Sequence, residues 1–173
     1  GWSPDDTRLL VHEARGSFDH DLHVLDIETG DLSHLTPHTS EARFRSPEWS
    51  PDGDSVYVCT DHASDTLRLE RISLGSDGEG GDGETLGDLF VVEGGGEWNV
   101  DGVVVDRDTN RVACSRNVEG YTELTIGEFT GPDRIDPFAE PALPECVAGG
   151  VSFGPDADRV AVTVTGSTVN TNT

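Results

Sequence analysis

A short phrase recurs along this chain and restricts what it can fold into. Trp2-Ser3-Pro4-Asp5-Asp6 returns as Trp49-Ser50-Pro51-Asp52-Gly53. It reappears in degraded form as Val105-Asp106-Arg107-Asp108-Thr109, and again as Phe153-Gly154-Pro155-Asp156-Ala157. The third positions of successive copies are 47, 56 and 48 residues apart. Each copy precedes a brief apolar run: Leu9-Leu10-Val11, Val56-Tyr57-Val58, Val112-Ala113-Cys114 and Val160-Ala161-Val162. Proline presets φ near the value a turn needs, and Gly53 tolerates the positive φ that closes one. The residues Trp2, Pro4, Asp5, Trp49, Pro51, Asp52, Gly53, Pro155 and Asp156 are therefore read as structural turn positions. A repeat of this length, built from short strands and turns, is the signature of β-propeller blades.

No stretch shows helical periodicity of useful length, so the expected fold class is all-β, with four-stranded antiparallel blades. The blades are expected at 1–40, 41–96, 97–145 and, in part, 146–173. Strands are expected at Arg8–Ala14, Asp21–Ile27 and Leu32–Thr36 in the first. The second holds Ala42–Trp49, Ser55–Thr60, Thr66–Leu74 and Gly87–Glu93. The third holds Trp98–Asp106, Arg111–Asn117, Thr122–Phe129 and an outer segment with Pro132, Pro137, Pro141 and Pro144, which suits an edge. The last holds Val147–Phe153 and Arg159–Thr165. Propellers usually close with about four to eight blades. Some three and a half repeats, with a motif at the very first residues and no methionine in the chain, lead us to expect an incomplete propeller cut from a longer protein.

Charge constrains the surroundings. Asp and Glu number 34 against 11 basic residues, all of them arginine, for a net charge of -23. A single-sign field of this size opposes compaction. In molar salt the Debye length falls to roughly 3 Å and the repulsion is screened. The composition thus points to an extreme halophile, a haloarchaeon. Nucleic acid is excluded as a partner because its phosphates would be repelled. No segment approaches the ~20 apolar residues of a membrane helix, so no membrane partner and a cytoplasmic location are expected. Cys59, Cys114 and Cys146 are read as small buried hydrophobes rather than a disulfide or a reactive thiol.

The phrase Trp49-Ser50-Pro51-Asp52-Gly53 resembles the blade turn of TolB-like propellers and of the N-terminal propeller of prolyl oligopeptidase family serine peptidases. The segment Asp21-Leu22-His23-Val24-Leu25-Asp26-Ile27-Glu28-Thr29-Gly30 is similar to the third strand of such blades. Asn117-Val118-Glu119-Gly120-Tyr121-Thr122-Glu123-Leu124 is similar to a pattern of the dipeptidyl and acylaminoacyl peptidase relatives. Arg107 in place of proline and Gly154 in place of serine depart from the pattern. The resemblance implies a propeller seated over an α/β-hydrolase domain, restricting access to that domain's active site. It implies no catalytic residue here, because the nucleophile, acid and histidine of that family lie in the hydrolase domain. The alternative within the same resemblance is a TolB-like scaffold that binds a protein partner and has no enzymatic activity. Self-association through open blade edges is a third expectation.

Candidate sites follow. Gly150-Val151-Ser152-Phe153-Gly154 satisfies the nucleophile-elbow pattern, but an elbow needs a strand, a sharp turn and a helix. Here a second strand is expected after the serine, so no catalytic residue is assigned. Ser76–Glu84 alternates carboxylates and glycines in a way that can surround calcium, but it lacks the EF-hand spacing and reads as a hydrated loop. His20 and His23, and His34 and His38, have spacings that pair ligands on helices, whereas these lie on strands and turns. No third ligand is evident, so neither a metal site nor any cofactor is assigned. Arg43, Arg45, Glu48, Glu97 and Trp98 fall on or beside the innermost strands and are expected to line a central channel. There an arginine can pair with a substrate carboxylate; the alternative is that these side chains solvate a tunnel or tie blades together.

Overall fold

The computed structural model describes residues 1–75, 89–138 and 141–166. Among these it has thirteen strands and no helix, hence no helix long and apolar enough to cross a membrane. The expected all-β class is what the chain adopts. The first sheet holds β1 (Arg8–Ala14), β2 (His20–Asp26) and β3 (Leu32–His34), in that order, with a single bridge from Trp2 to Leu9 on its inner side. The second holds β4 (Phe44–Trp49), β5 (Ser55–Thr60), β6 (Arg68–Ser73) and β7 (Leu89–Glu93). The third holds β8 (Val100–Asp106), β9 (Arg111–Val118), β10 (Tyr121–Gly131) and β11 (Arg134–Pro137). The last pairs β12 (Val147–Phe153) with β13 (Val160–Thr165). Every pairing is antiparallel and sequential.

Several strand ends fall short of expectation, and side chains explain two of them. β3 stops at His34 because Thr36 Oγ1, rather than a backbone carbonyl, accepts from the Leu22 N–H at 2.8 Å. β8 begins at Val100 because Asn99 Oδ1 accepts from the Leu67 N–H at 2.8 Å. Side-chain oxygens here take backbone donors that the ladder would otherwise use. Within the proline-rich outer segment, β11 ends at Pro137, while Pro141 and Pro144 lie outside any strand. Gly127 is required where β10 meets β11, since a Cβ there would lie 2.7 Å from the Asp136 carbonyl oxygen. The acidic glycine segment Ser76–Glu84 lies outside the described residues.

The recurrent phrase is a hydrogen-bonded staple. Ser50 Oγ donates to Asp52 Oδ1 at 2.6 Å and accepts from the Ser55 N–H at 3.0 Å, while the Asp54 N–H donates to the same carboxylate oxygen at 3.1 Å. The first copy repeats this: Ser3 Oγ donates to Asp5 at 2.6 Å and accepts from the Arg8 N–H at 2.9 Å. These donors hold the Asp5 carboxyl down at a pKa of about 2, chiefly through the Ser3 hydroxyl. Positive φ falls at the same place in three copies: Asp6 (58°), Gly53 (76°) and Ala157 (49°). The third copy solves the turn differently. Asp106 takes the serine position, its carboxylate accepts from the Thr109 N–H at 3.0 Å, and positive φ moves on to Asn110 (58°). The turn keeps its length, since Val105 pairs with Val112 as Trp49 pairs with Val56, but with Asp106 and Arg107 in place of Ser and Pro an Asx-type bond replaces the staple.

The sheets stack face to face, so a sheet with a neighbour on both sides, such as the second, has no wet side. Every residue of β5 is buried. Val56 and Val58 join Leu10, Leu22, Phe44, Trp49 and Ile72 in a core between the first and second sheets. Tyr57 and Cys59 join Val103, Val105, Val112, Cys114 and Phe129 in a core between the second and third. The three cysteines are buried and free, and burial pushes the Cys59 thiol up to about 12. Arginines clasp successive turns across these seams. Arg8 donates to the Gly53 carbonyl at 2.9 Å and lies over the Trp49 ring at 4.9 Å. Arg111, at the equivalent place two repeats on, donates to the Ala157 carbonyl. In the second repeat that place is Ser55, and the link comes instead from Arg71, which grips Asp133 of the third sheet at 2.5 and 3.2 Å.

Ser50→Ala removes a buried hydroxyl and leaves the Ser55 N–H without its acceptor. It is expected to cost about 1–3 kcal/mol in urea unfolding. Asp108→Ala, on the exposed rim of the degraded turn, is expected to cost less than about 0.5 kcal/mol. None of the three thiols is expected to react with a maleimide in the folded chain, and all three should react once it is unfolded, which mass spectrometry reads directly.

Candidate functional site at the axial strands

The first strands of the second, third and fourth sheets, β4, β8 and β12, are sheet edges and lie beside one another. Each carries a bulge in its pairing with the next strand. The register slips between Arg45 and Glu48 in β4, between Val100 and Gly102 in β8, and between Ala148 and Gly150 in β12. A bulge leaves residues unpaired and re-aims side chains. In β4 it is marked by Ser46, which holds φ at 49°, a conformation that costs a residue with a Cβ. Opposite, Gly102 leaves room: a Cβ there would meet Ser115 Oγ at 3.2 Å and Ser46 Oγ at 3.6 Å.

Counting back from the turn places Arg45, Asp101 and Gly149 at one repeat position, four residues before Trp49, Val105 and Phe153. Arg45 is exposed and Asp101 half-buried. Burial raises the Asp101 carboxyl, and the positive charges of Arg45 and then Arg43 partly offset that rise. Opposite charges, Arg45 on β4 and Asp101 on β8, therefore lie close enough on two neighbouring strands to feel one another.

The five residues read as channel-lining part company. Arg45 and Glu48 lie on β4. Arg43 lies just before it and is engaged with Asp61, its N–H donating to Oδ1 and its Nε to Oδ2, both at 2.7 Å. Glu97 and Trp98 are exposed in the loop between β7 and β8 rather than on the inner strand. Glu48 is half-buried, and desolvation raises its carboxyl despite the opposing charges of the Gly1 amino group and Arg107. Asp101 was not picked out by motif. Aligning the repeats from their turns finds it, because it shares the place of Arg45.

Turn residues also differ in role. Trp49 is 2% exposed in the first inter-sheet core and donates from Nε1 to the Gly1 carbonyl at 3.1 Å, whereas Trp2 is 48% exposed. The Gly150–Gly154 serine lies on β12, followed by a turn and β13, so the strand–turn–helix of a nucleophile elbow is not formed. The histidines pair differently from their sequence spacing. His23 faces His34 across β2 and β3, with Asp21 beside them, a grouping of three ligand-type side chains that the sequence spacing did not bring together.

No protein-family model matches the sequence, and no curated protein matches it. Solved structures do. TolB from Acinetobacter baumannii superposes with a TM-score of 0.64 at 15% identity, over 96% of this chain and 37% of that one. A prolyl endopeptidase superposes with a TM-score of 0.67 at 17% identity, over 94% and 22%. The periplasmic gluconolactonase of Pseudomonas aeruginosa gives 0.60 at 16%, over 94% and 48%. The chain spans less than half the length of each of these structures. At such identities the likeness concerns the fold, and the chain folds as a TolB-like β-propeller segment.

Burial opposes ionisation of Glu48, so its charge costs stability above its unfolded pKa, and that cost disappears as pH falls and both states become protonated. Glu48→Gln is therefore expected to stabilise the chain at pH 7. The gain over wild type should shrink to nothing below about pH 4. Thermal melts of the pair across pH test this; a gain that grows on acidification contradicts it.

Proposed function

We propose that this chain is a non-catalytic propeller segment of a prolyl oligopeptidase-type serine peptidase from a halophile, filtering substrates on their way to a hydrolase domain. The observation that carries this reading is the superposition on a prolyl endopeptidase over 94% of the chain. The axial strands add support, because Arg45 and Asp101 offer opposite charges to a peptide's ends. The absence of an elbow around Ser152 agrees with a role that leaves the chemistry to another domain.

A second reading, a protein-binding scaffold without enzymatic activity, is favoured by the superposition on TolB over 96% of the chain. The two are separated by expressing the whole gene product that contains this chain, in molar salt. Under the peptidase reading it cleaves short peptide anilides and spares folded proteins. Arg45→Glu should then raise KM several-fold for peptides with a free carboxylate and leave kcat unchanged, as expected for a residue that binds substrate before chemistry. A gene product with no peptidase activity overturns the gate and leaves the scaffold. Ester hydrolysis by the 173-residue chain alone overturns both.

A further inference from the structure

We propose that Asp21, His23 and His34 on the first sheet bind a divalent transition-metal ion of the zinc type, with the exposed Glu13, which lies beside His23, closing on it from the rim. The site arises from strand geometry. Asp21 and His23 are two apart on β2 and share a face. The register sets Glu13 of β1 opposite Asp21, and His34 of β3 opposite His23. Three adjacent strands therefore deliver four ligand-bearing side chains to one face, away from the core that Leu22 and Val24 enter.

Distances and burial fit a coordination sphere. The ligand atoms of Asp21, His23 and His34 all lie within 4.8 Å of one another. His34 Nε2 is 2.8 Å from Asp21 Oδ1, and His23 Nε2 is 3.1 Å from Glu13 Oε2. Metal bonds of about 2.0–2.2 Å place neighbouring ligand atoms roughly 3 Å apart. Each imidazole Nε2 thus already lies at contact distance from a carboxylate oxygen, close to the spacing of two ligand atoms on one ion. The two rings are stacked, 4.7 Å apart and 21° from parallel.

A supporting shell is present. Arg15 Nε holds the other Asp21 oxygen at 2.8 Å, and Thr36 Oγ1 lies 3.4 Å from Oδ1. Second partners of this kind orient metal ligands. Side-chain exposure grades from 3% at Asp21 through 16% at His23 and 33% at His34 to 56% at Glu13. The floor is dry and the rim open, so an ion has an entry path. Two neutral imidazoles with two carboxylates are borderline ligands that select zinc, cobalt or nickel over calcium and magnesium, which take oxygen.

The test is titration of the whole chain, in chelator-treated buffer, with Zn2+ followed calorimetrically and Co2+ followed by visible absorption. A single saturable site is expected, with a higher Tm in the presence of Zn2+ and no competition from Ca2+ or Mg2+. His23→Gln and His34→Gln should each weaken binding by more than about 10-fold, and His12→Gln, on the opposite face of β1, should leave it unchanged. Glu13→Gln, at the exposed rim, gives a weakened site even if a histidine variant misfolds by circular dichroism. Absence of saturable binding overturns the site. So does binding unaffected by His23→Gln, His34→Gln and Glu13→Gln, or lost equally in His12→Gln.

Discussion

The structure depends on sheets burying one another. A four-stranded sheet of this size has two apolar faces, and only a neighbour on each side can cover both. The second sheet shows the rule at its fullest, with β5 buried at every residue. Val56 and Val58 point one way, Tyr57 and Cys59 the other, and each pair enters a different core. Fully burying such side chains contributes about 1.5–3 kcal/mol apiece, and none of it is available to the sheet alone. Stability is therefore a property of seams, as in other repeat proteins. The Tyr57 and Phe129 rings, stacked at 4.4 Å, and the Tyr57 hydroxyl donating to the Pro132 carbonyl at 2.9 Å belong to the seam rather than to either sheet.

That constraint explains why the inner strands carry bulges. Radially stacked sheets are crowded at the axis, and a regular ladder there would keep strict alternation. The slips break that alternation at the same repeat position in β8 and β12, at Asp101 and Gly149, and slightly nearer the turn in β4, at Ser46 and Pro47. Asp101 and Gly149 thus leave the ladder while Arg45 stays paired with Cys59, and Trp49, Val105 and Phe153 start the turns. The scaffold is repeated and the axial side chains are not, so specificity can be tuned without disturbing the stack.

How much was legible in the sequence follows from what each signal measures. The Ser-Pro-Asp staple is a local device whose partners lie within five residues, so reading it and its degraded copies along the chain places the turn between the first two strands of each repeat. Strand ends at Leu32–His34 and Val100 depended on Thr36 and Asn99 taking backbone bonds from distant residues, which no local pattern reports. The third turn's move of positive φ to Asn110 accompanies substitutions that were visible, although the move itself was not. The histidines show the limit most clearly. Spacing along the chain paired His34 with His38, whereas hairpin register pairs His34 with His23, and register becomes known only once the loop between β2 and β3 is fixed.

Electrostatics completes the account of the seams. A chain of charge -23 has few cations, and all eleven are arginine. Those that join parts of the fold do so in ways an ammonium group would not reproduce. Arg71 meets Asp133 with two nitrogens while lying over Phe90 at 4.5 Å. Arg8 combines a turn carbonyl with the Trp49 ring. Arg107 reaches the Trp2 carbonyl at 2.8 Å, and Arg116 pairs with Glu93 of the preceding sheet. A planar fork that stacks and donates in two directions serves such joints, whereas lysine offers a hydrated point charge. The acidic excess, by contrast, is largely exposed on turns and strand rims, where screening by salt lowers its mutual repulsion. The two signs thus have separate work: carboxylates hydrate the outer surface, and guanidinium groups tie adjacent sheets at the edges of their apolar seams.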